Sequence, residues 1–228
     1  IYIDILNTNV GFPRFINNNE LFKGRMGYVV FLGSMLAFFQ QITGINVVIN
    51  YAPGILGNLG IAGSNPLLQT IYIGAANLLF TVIALWLCDK FGRKTLLLWG
   101  CAGLVISLGY ITYAFSTTNP SELGILIAII AYIAFFALSL SPLMFVVTSE
   151  MYPSYIRGTA MALSTGISWA CAFLCVQFYP WMENTLGTNV AFGIFAVLCL
   201  AAALFIRFCI PETKGKSLEE IEKELKLK

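Results

Sequence analysis

Residues 40–51 read Q-Q-I-T-G-I-N-V-V-I-N-Y, within an apolar stretch, residues 26–59, that has no charged residue. Five polar side chains interrupt the apolar pattern: Gln40, Gln41, Thr43, Asn46 and Asn50. Amide groups in hydrocarbon need hydrogen-bond partners, and polar residues inside a membrane usually face the interior of a helix bundle or a water-filled cavity. The cluster therefore predicts a polar ligand bound in mid-membrane.

The spacing of the five side chains leaves two arrangements open. On a straight helix, at about 100° per residue, four of them share one arc and Gln41 lies off it. Either the helix unwinds near Gly44, or Gln41 makes a separate contact. Pro53 and Gly54 follow the cluster, and such residues permit local unwinding. We expect a helix followed by a non-helical tail. A structural role, in which the amides join neighbouring helices, stays open.

The composition is that of a membrane protein, since 58% of the residues are hydrophobic, 11% are charged and the mean hydropathy is +0.82. A spanning helix needs about 20 apolar residues. Uncharged stretches of about that length or more recur six times, at residues 26–59, 67–88, 95–115, 123–148, 158–181 and 188–206. The alternative is a large soluble core, which six successive stretches with short polar loops disfavour. The sequence predicts an all-α membrane protein with six transmembrane helices.

The basic residues give an orientation. All thirteen Lys and Arg fall on one side of a six-span topology, and the opposite loops, near residues 58–66, 116–122 and 183–189, contain none. The positive-inside rule makes the basic side cytoplasmic. We therefore expect a multi-pass protein of the plasma membrane or bacterial inner membrane, with both ends of this chain in the cytoplasm.

Several partners are disfavoured by composition. A net charge of +2 without a clustered basic arm argues against nucleic acid. The chain has no His, and its six Cys lie within or at the ends of the spans, so we expect neither a metal site nor a cofactor. Membrane lipid is the expected surrounding.

The chain divides into three parts. Residues 1–25 are predicted to be the end of a cytoplasmic linker, and because the first residue is Ile1 we expect a piece of a longer protein. Residues 26–210 form the six-helix bundle. Residues 211–228 are a cytoplasmic tail in which Ser217 and Glu220 fit a capping box that begins a short amphipathic helix.

Two further positions are candidates for the ligand site, and one face is a candidate for packing. Asn77 is the one amide in the interior of the second span, and Trp169 lies mid-span in the fifth. Interhelical bonding for Asn77 and plain packing for Trp169 are the alternatives. Small residues recur every fourth position in the fifth span and predict a closely packed face: Gly158, Ala162, Gly166 and Ala170.

Four motifs in order resemble the sugar porter family of the major facilitator superfamily, specifically its C-terminal six-helix half. They are Q-Q-I-T-G-I-N at residues 40–46, D-K-F-G-R-K at residues 89–94, E-M-Y-P at residues 150–153 with Arg157 and Gly158, and P-E-T-K-G at residues 211–215. Each motif alone is weak evidence. Together they cover residues 26–228 and are highly specific.

The resemblance implies a binding site for a monosaccharide. Gln40, Gln41 and Asn46 would hydrogen-bond sugar hydroxyls, Asn77 would help from the next helix, and Trp169 would flank the site. A carboxamide both donates and accepts hydrogen bonds, as a hydroxyl does. Two positions depart from the family pattern. Asn50 stands where many members have Tyr and adds a candidate hydroxyl contact, and Phe145 stands where many have Trp.

The resemblance also implies a cytoplasmic latch, formed by Asp89, Arg93, Glu150 and Arg157, that closes the inner side when the site faces outward. Alternating access needs such an interaction, made in one state and broken in the other. The alternative is that these basic residues only anchor helix ends in the lipid headgroups.

The predicted function is therefore that of half a carrier. The chain would supply the C-terminal half of a transporter for a hexose or pentose, acting by alternating access as a facilitator or a proton symporter, with an N-terminal six-helix half as partner. A polyol or inositol carrier is the near alternative, and a transporter-like sugar sensor is less favoured. No catalytic constellation is recognisable, so we do not expect an enzyme.

Overall fold

The computed structural model describes residues 24–58, 66–117, 121–216 and 220. This part of the chain is helical and contains no strand. Its helices, in chain order, are α1 Gly24–Ile42, α2 Ile45–Asn58, α3 Pro66–Phe91, α4 Arg93–Ser116, α5 Glu122–Leu138, α6 Leu140–Met151, α7 Arg157–Leu186 and α8 Thr188–Cys209.

Two of the six expected spans are broken helices. The first span divides into α1 and α2 at Thr43 and Gly44, and the fourth divides into α5 and α6 at Ser139. The expected non-helical tail of the first span is wrong, because α2 continues as a helix to Asn58 with Pro53 inside it. The helix break lies before this proline, at the glycine.

A helix needs about 20 apolar residues to cross a bilayer, and several stretches in the described part of the chain reach that length. Five stretches qualify by length and composition: Met26–Gly54, Arg93–Ser116, Leu123–Met151, Arg157–Leu186 and Thr188–Cys209. The remaining expected span is α3, in which Ile73–Cys88 is a shorter apolar stretch. The all-α membrane fold predicted from composition is confirmed.

The core forms around α4, which packs against α5 and α8, while α1 packs against α7. Leu104 of α4, Tyr132 of α5 and Phe192 of α8 are fully or almost fully buried. Close approach depends on glycine at one point in particular. A Cβ atom at Gly33 of α1 would overlap the hydroxyl of Tyr152, so α1 can reach this buried tyrosine because residue 33 has no side chain.

Among the described residues, the predicted small-residue face of α7 is not the face that packs. Gly158, Ala162, Gly166 and Ala170 are exposed, and a Cβ atom added at either glycine would meet nothing within 4 Å. The helix instead buries a neighbouring face that also repeats every fourth residue: Ala160, Ser164, Ser168 and Ala172. Both faces have small residues, and spacing alone does not distinguish the one that packs.

The predicted domain ends are described only in part. The structure describes residues 211–216 as irregular chain that follows α8. The linker up to residue 23 and the predicted amphipathic helix, except Glu220, lie outside the described residues. The boundaries at residues 25 and 210 stay predictions.

Candidate functional site: an amide network at two broken helices

The break between α1 and α2 is held by specific contacts. Gly44 has a φ of +91°, a conformation that glycine adopts at no steric cost. The ring of Phe195 lies 2.9 Å from the place where a Cβ atom of residue 44 would be. The Tyr132 hydroxyl donates a hydrogen bond to the Thr43 carbonyl at 2.9 Å. The sequence thus supplies a glycine, a packed ring and a buried donor for one non-helical turn.

Gln40 links this break to the second one. Its side chain is buried, with 4% exposed. The Nε2 group donates to the carbonyl of Leu140 at 3.0 Å and to that of Ser141 at 3.4 Å. Both acceptors lie in the first turn of α6, directly after the break at Ser139. One amide therefore connects two broken helices about 100 residues apart in sequence.

Gln41 and Asn46 continue the network from Gln40. Gln41 Nε2 donates to Ser168 Oγ at 2.9 Å and lies 3.4 Å from Gln40 Oε1, to which Ser168 Oγ also donates at 3.4 Å. Asn46 Nδ2 donates to Gln41 Oε1 at 2.6 Å. The helix does break at Gly44, and Gln41 thereby joins the cluster that a straight helix would keep it from.

Sequence reasoning missed Ser168, which is buried in α7 and bonds two of the amides. Its position gave one usable signal. Ser164 and Ser168 are four residues apart, so they lie on the same helix face, and hydroxyls inside a span need partners. That spacing predicts a polar contact without identifying it.

The other three predicted site residues are not hydrogen-bonded to the amide side chains in the described part of the chain. Asn50 is exposed, and its Nδ2 donates to the Asn46 carbonyl at 2.7 Å, on its own helix. Asn77 Oδ1 is buried and finds no protein partner among the described residues. Trp169 follows Ser168 and is 71% exposed. Their roles as ligands stay predictions.

Two of the four predicted latch residues form an ion pair. Arg93 Nη2 lies 3.1 Å from Glu150 Oε1, and the other carboxylate oxygen of Glu150 accepts a hydrogen bond from Thr213 Oγ1 at 2.5 Å. Arg157 donates through Nε to the Tyr152 carbonyl at 3.3 Å. The side chain of Asp89 lies outside the described part of the structure.

Glu212 lies in the P-E-T-K-G motif, but sequence reasoning assigned it no individual role. Its carboxylate accepts from the backbone N–H groups of Arg93 at 3.0 Å and Lys94 at 3.1 Å, at the start of α4, and from that of Lys214 at 3.1 Å. The N-cap position, Gly92, offers no side-chain acceptor. A carboxylate 119 residues away thus satisfies the helix N-terminus, whose partial positive charge favours an anion.

Comparison with known proteins agrees with this architecture. The model of the family described as "Sugar (and other) transporter" matches residues 12–225. The D-xylose-proton symporter of Escherichia coli strain K12 is 38% identical over 200 residues, which are 85% of this chain and 40% of the symporter. The glucose facilitated diffusion protein of Zymomonas mobilis is 39% identical over 200 residues, 85% of this chain and 42% of that protein.

Solved structures give the same result. The chain is similar to a proton:xylose symporter bound to 6-bromo-6-deoxy-D-glucose, with a TM-score of 0.78, 37% identity and coverage of 86% of this chain and 42% of the other. It is also similar to the inward open xylose transporter of E. coli, with a TM-score of 0.76, 38% identity and coverage of 86% and 42%.

The chain spans about two fifths of the length of these relatives, which agrees with one half of a major facilitator fold. The relatives are transport proteins and not enzymes. By the family match over nearly its whole length, the chain belongs to the sugar (and other) transporter family of the major facilitator superfamily.

Proposed function

We propose that this chain is the C-terminal half of a membrane carrier that moves a monosaccharide, a hexose or a pentose, by alternating access. The observation that carries the proposal is the hydrogen-bonded amide network at the break between α1 and α2. Its residues are the proposed sugar ligands Gln40, Gln41 and Asn46, and the neighbouring candidates are Asn50, Asn77 and Trp169.

The chemistry of the network suits a sugar. Each hydroxyl of a pyranose or furanose both donates and accepts, and so does each carboxamide. A site whose buried amides pair with hydroxyls rejects an analogue that lacks one, because its own polar groups are then unsatisfied. The half-buried Gln41 and Asn46 have the partial access that such an exchange of partners requires.

Membership of the family also supports a partner half, an orientation and a latch for the carrier. An N-terminal six-helix half would complete the substrate site between the two halves. The basic side of the bundle would be cytoplasmic. The Arg93–Glu150 ion pair, with Asp89 and Arg157 nearby in sequence, would close the cytoplasmic side in one state and open in the other.

The experiment is uptake by the complete carrier in proteoliposomes. A panel of unlabelled hexoses, pentoses, polyols and inositol competes with a transported labelled sugar. We expect a monosaccharide to compete best, and Gln41→Leu to weaken its apparent affinity about 10-fold or more, since an unsatisfied partner costs about 1–3 kcal/mol. Gln177→Leu is the matched control, because Gln177 is an exposed amide on α7.

Three results would overturn parts of the proposal. Preferential competition by polyols or inositol would replace the substrate class. An unchanged affinity in Gln41→Leu would remove the network from the binding site. Uptake by proteoliposomes that contain this chain alone would refute the role as one half of a carrier.

A further inference from the structure

All hydrogen bonds in the amide network are donated in the direction of α6, and the backbone carbonyl groups at the start of α6 fix this direction. The carbonyl groups of Leu140 and Ser141 can only accept hydrogen bonds, and an amide nitrogen has two hydrogens to give. Gln40 Nε2 donates to both carbonyls. Gln40 therefore presents its carbonyl oxygen, Oε1, to the rest of the network.

Ser168 transmits this direction to Gln41. A hydroxyl has one hydrogen to donate and lone pairs that accept. Ser168 Oγ donates to Gln40 Oε1, so it is an acceptor for Gln41 Nε2 at 2.9 Å. The second hydrogen of Gln41 Nε2 lies toward Gln40 Oε1 at 3.4 Å. The donors of Gln41 are thus used within the protein, and its Oε1 is turned to Asn46.

The last member of the network keeps an acceptor for a ligand. Asn46 Nδ2 donates one of its two hydrogens to Gln41 Oε1 at 2.6 Å. No described residue donates to Asn46 Oδ1, so the lone pairs of this oxygen and the second lone pair of Gln41 Oε1 outnumber the single remaining amide hydrogen of Asn46. We infer that Ser168 is a positioning residue that orients the Gln41 amide, so that the network offers mainly acceptor oxygens and selects sugar hydroxyls that donate. The inference rests on the proposed sugar site and adds a rule for its specificity.

A fluorine in place of a hydroxyl tests this directly, because it accepts weakly and cannot donate. We expect the complete wild-type carrier to bind one member of a monofluoro-sugar series at least 10-fold more weakly than the parent sugar, by isothermal titration calorimetry. Ser168→Ala removes the acceptor of Gln41 Nε2, which lets the amide reverse. The fluoro-to-hydroxyl ratio, which is the dissociation constant of the fluoro analogue divided by that of the parent sugar, should then fall about 5- to 10-fold. Ser168→Thr, which keeps the hydroxyl, should restore this ratio.

Ser164→Ala is the matched control. Ser164 lies one turn earlier on the same buried face of α7 and bonds the Tyr152 hydroxyl at 2.6 Å, not an amide. It should change stability and leave the fluoro-to-hydroxyl ratio unaltered. If Ser168→Ala fails to fold, Ser168→Cys is the substitute, because it retains the volume and has a weak donor and acceptor. Its fluoro-to-hydroxyl ratio of dissociation constants should be lower than that of wild type and Ser168→Thr, and higher than 1.

The outcomes separate this inference from the function on which it rests. Failure of the wild-type carrier to bind any monosaccharide refutes the proposed function. Sugar binding without discrimination against any fluoro analogue leaves that function intact and overturns the acceptor-rich site. Discrimination that is the same in wild type and the Ser168→Ala or Ser168→Cys variant overturns the role of Ser168.

Discussion

Replacement of Tyr132 by Phe removes one hydroxyl from the turn that separates α1 from α2. The side chain is fully buried, and its hydroxyl donates to the Thr43 carbonyl at 2.9 Å. Thr43 lies between the two helices, where the regular helical ladder is interrupted. The ring and its packing are kept in the variant, so the change isolates the hydrogen bond.

Two magnitudes bound the loss of stability. A buried acceptor without its partner costs about 1–3 kcal/mol in soluble proteins, and hydrogen bonds between membrane helices measure about 0.6 kcal/mol on average, with a maximum of about 1.7. The Cys199 thiol, at 4.0 Å from the same carbonyl, is a weak substitute. We therefore expect a loss near the upper membrane value, about 1.5 kcal/mol, or about a tenfold change in the unfolding equilibrium.

Thermal unfolding of the purified protein in detergent measures this loss. For a chain of this size, about 1.5 kcal/mol lowers Tm by about 3–6 °C. Tyr113→Phe is the control, because Tyr113 is 69% exposed on α4 and should shift Tm by less than about 1 °C. Equal Tm values for the two variants would refute the reasoning that a buried donor stabilises the break.

Three further variants test the other unusual contacts. Gly44→Ala should cost more than about 2 kcal/mol in unfolding free energy by denaturant titration, because φ is +91° and Phe195 occupies the space of a Cβ atom; a neutral effect would contradict the packed turn. Glu212→Gln should lower the unfolding free energy by about 1–2 kcal/mol and speed amide hydrogen exchange in the first turn of α4, because the carboxylate accepts hydrogen bonds from two N–H groups there. Unchanged exchange in that turn would refute the long-range cap. Burial raises the pKa of Tyr152 above its ordinary 10.0, and the hydrogen bond to Ser164 has a smaller, opposing effect. The unfolding free energy should therefore fall as pH rises above about 10, because the unfolded state then loses the proton more readily. In Tyr152→Phe the unfolding free energy should depend less on pH in that range.

Much of the fold could be predicted from the sequence, because the membrane imposes simple rules. The spans follow from uncharged stretches of bilayer length. The clustering of Gln40, Gln41 and Asn46 followed from the cost of amides in hydrocarbon. The break at Gly44 was one of two arrangements left open, and a glycine within a polar cluster indicated its place.

One error and one ambiguity have a different physical origin. The non-helical tail was predicted because Pro53 and Gly54 weaken a helix, but in a membrane the surrounding protein can satisfy the freed backbone groups, and α2 stays helical. Among the described residues α7 packs through the neighbouring small-residue face, and the two faces have the same spacing. A local sequence pattern is compatible with more than one conformation or buried face, and the packing of the bundle determines which of them is adopted.

The contacts that no local pattern predicts are those in which a distant residue satisfies a local need. Gln40 donates to a carbonyl at the start of α6 from 100 positions earlier in the sequence, and Glu212 caps the start of α4 from 119 positions later. In each case the need is visible in the sequence: a helix start at Gly92 without a capping side chain, or a break at Ser139 in an apolar span. Inside the membrane unsatisfied backbone groups are costly, so a polar side chain must reach the break at Ser139. At the start of α4, an acceptor stabilises the free backbone N–H groups of the helix end. The two links have a common consequence, because each ties a helix end to another element. In this structure the amide network is thus hydrogen-bonded to the start of α6, and the Arg93–Glu150 ion pair is hydrogen-bonded to the segment after α8 through Thr213.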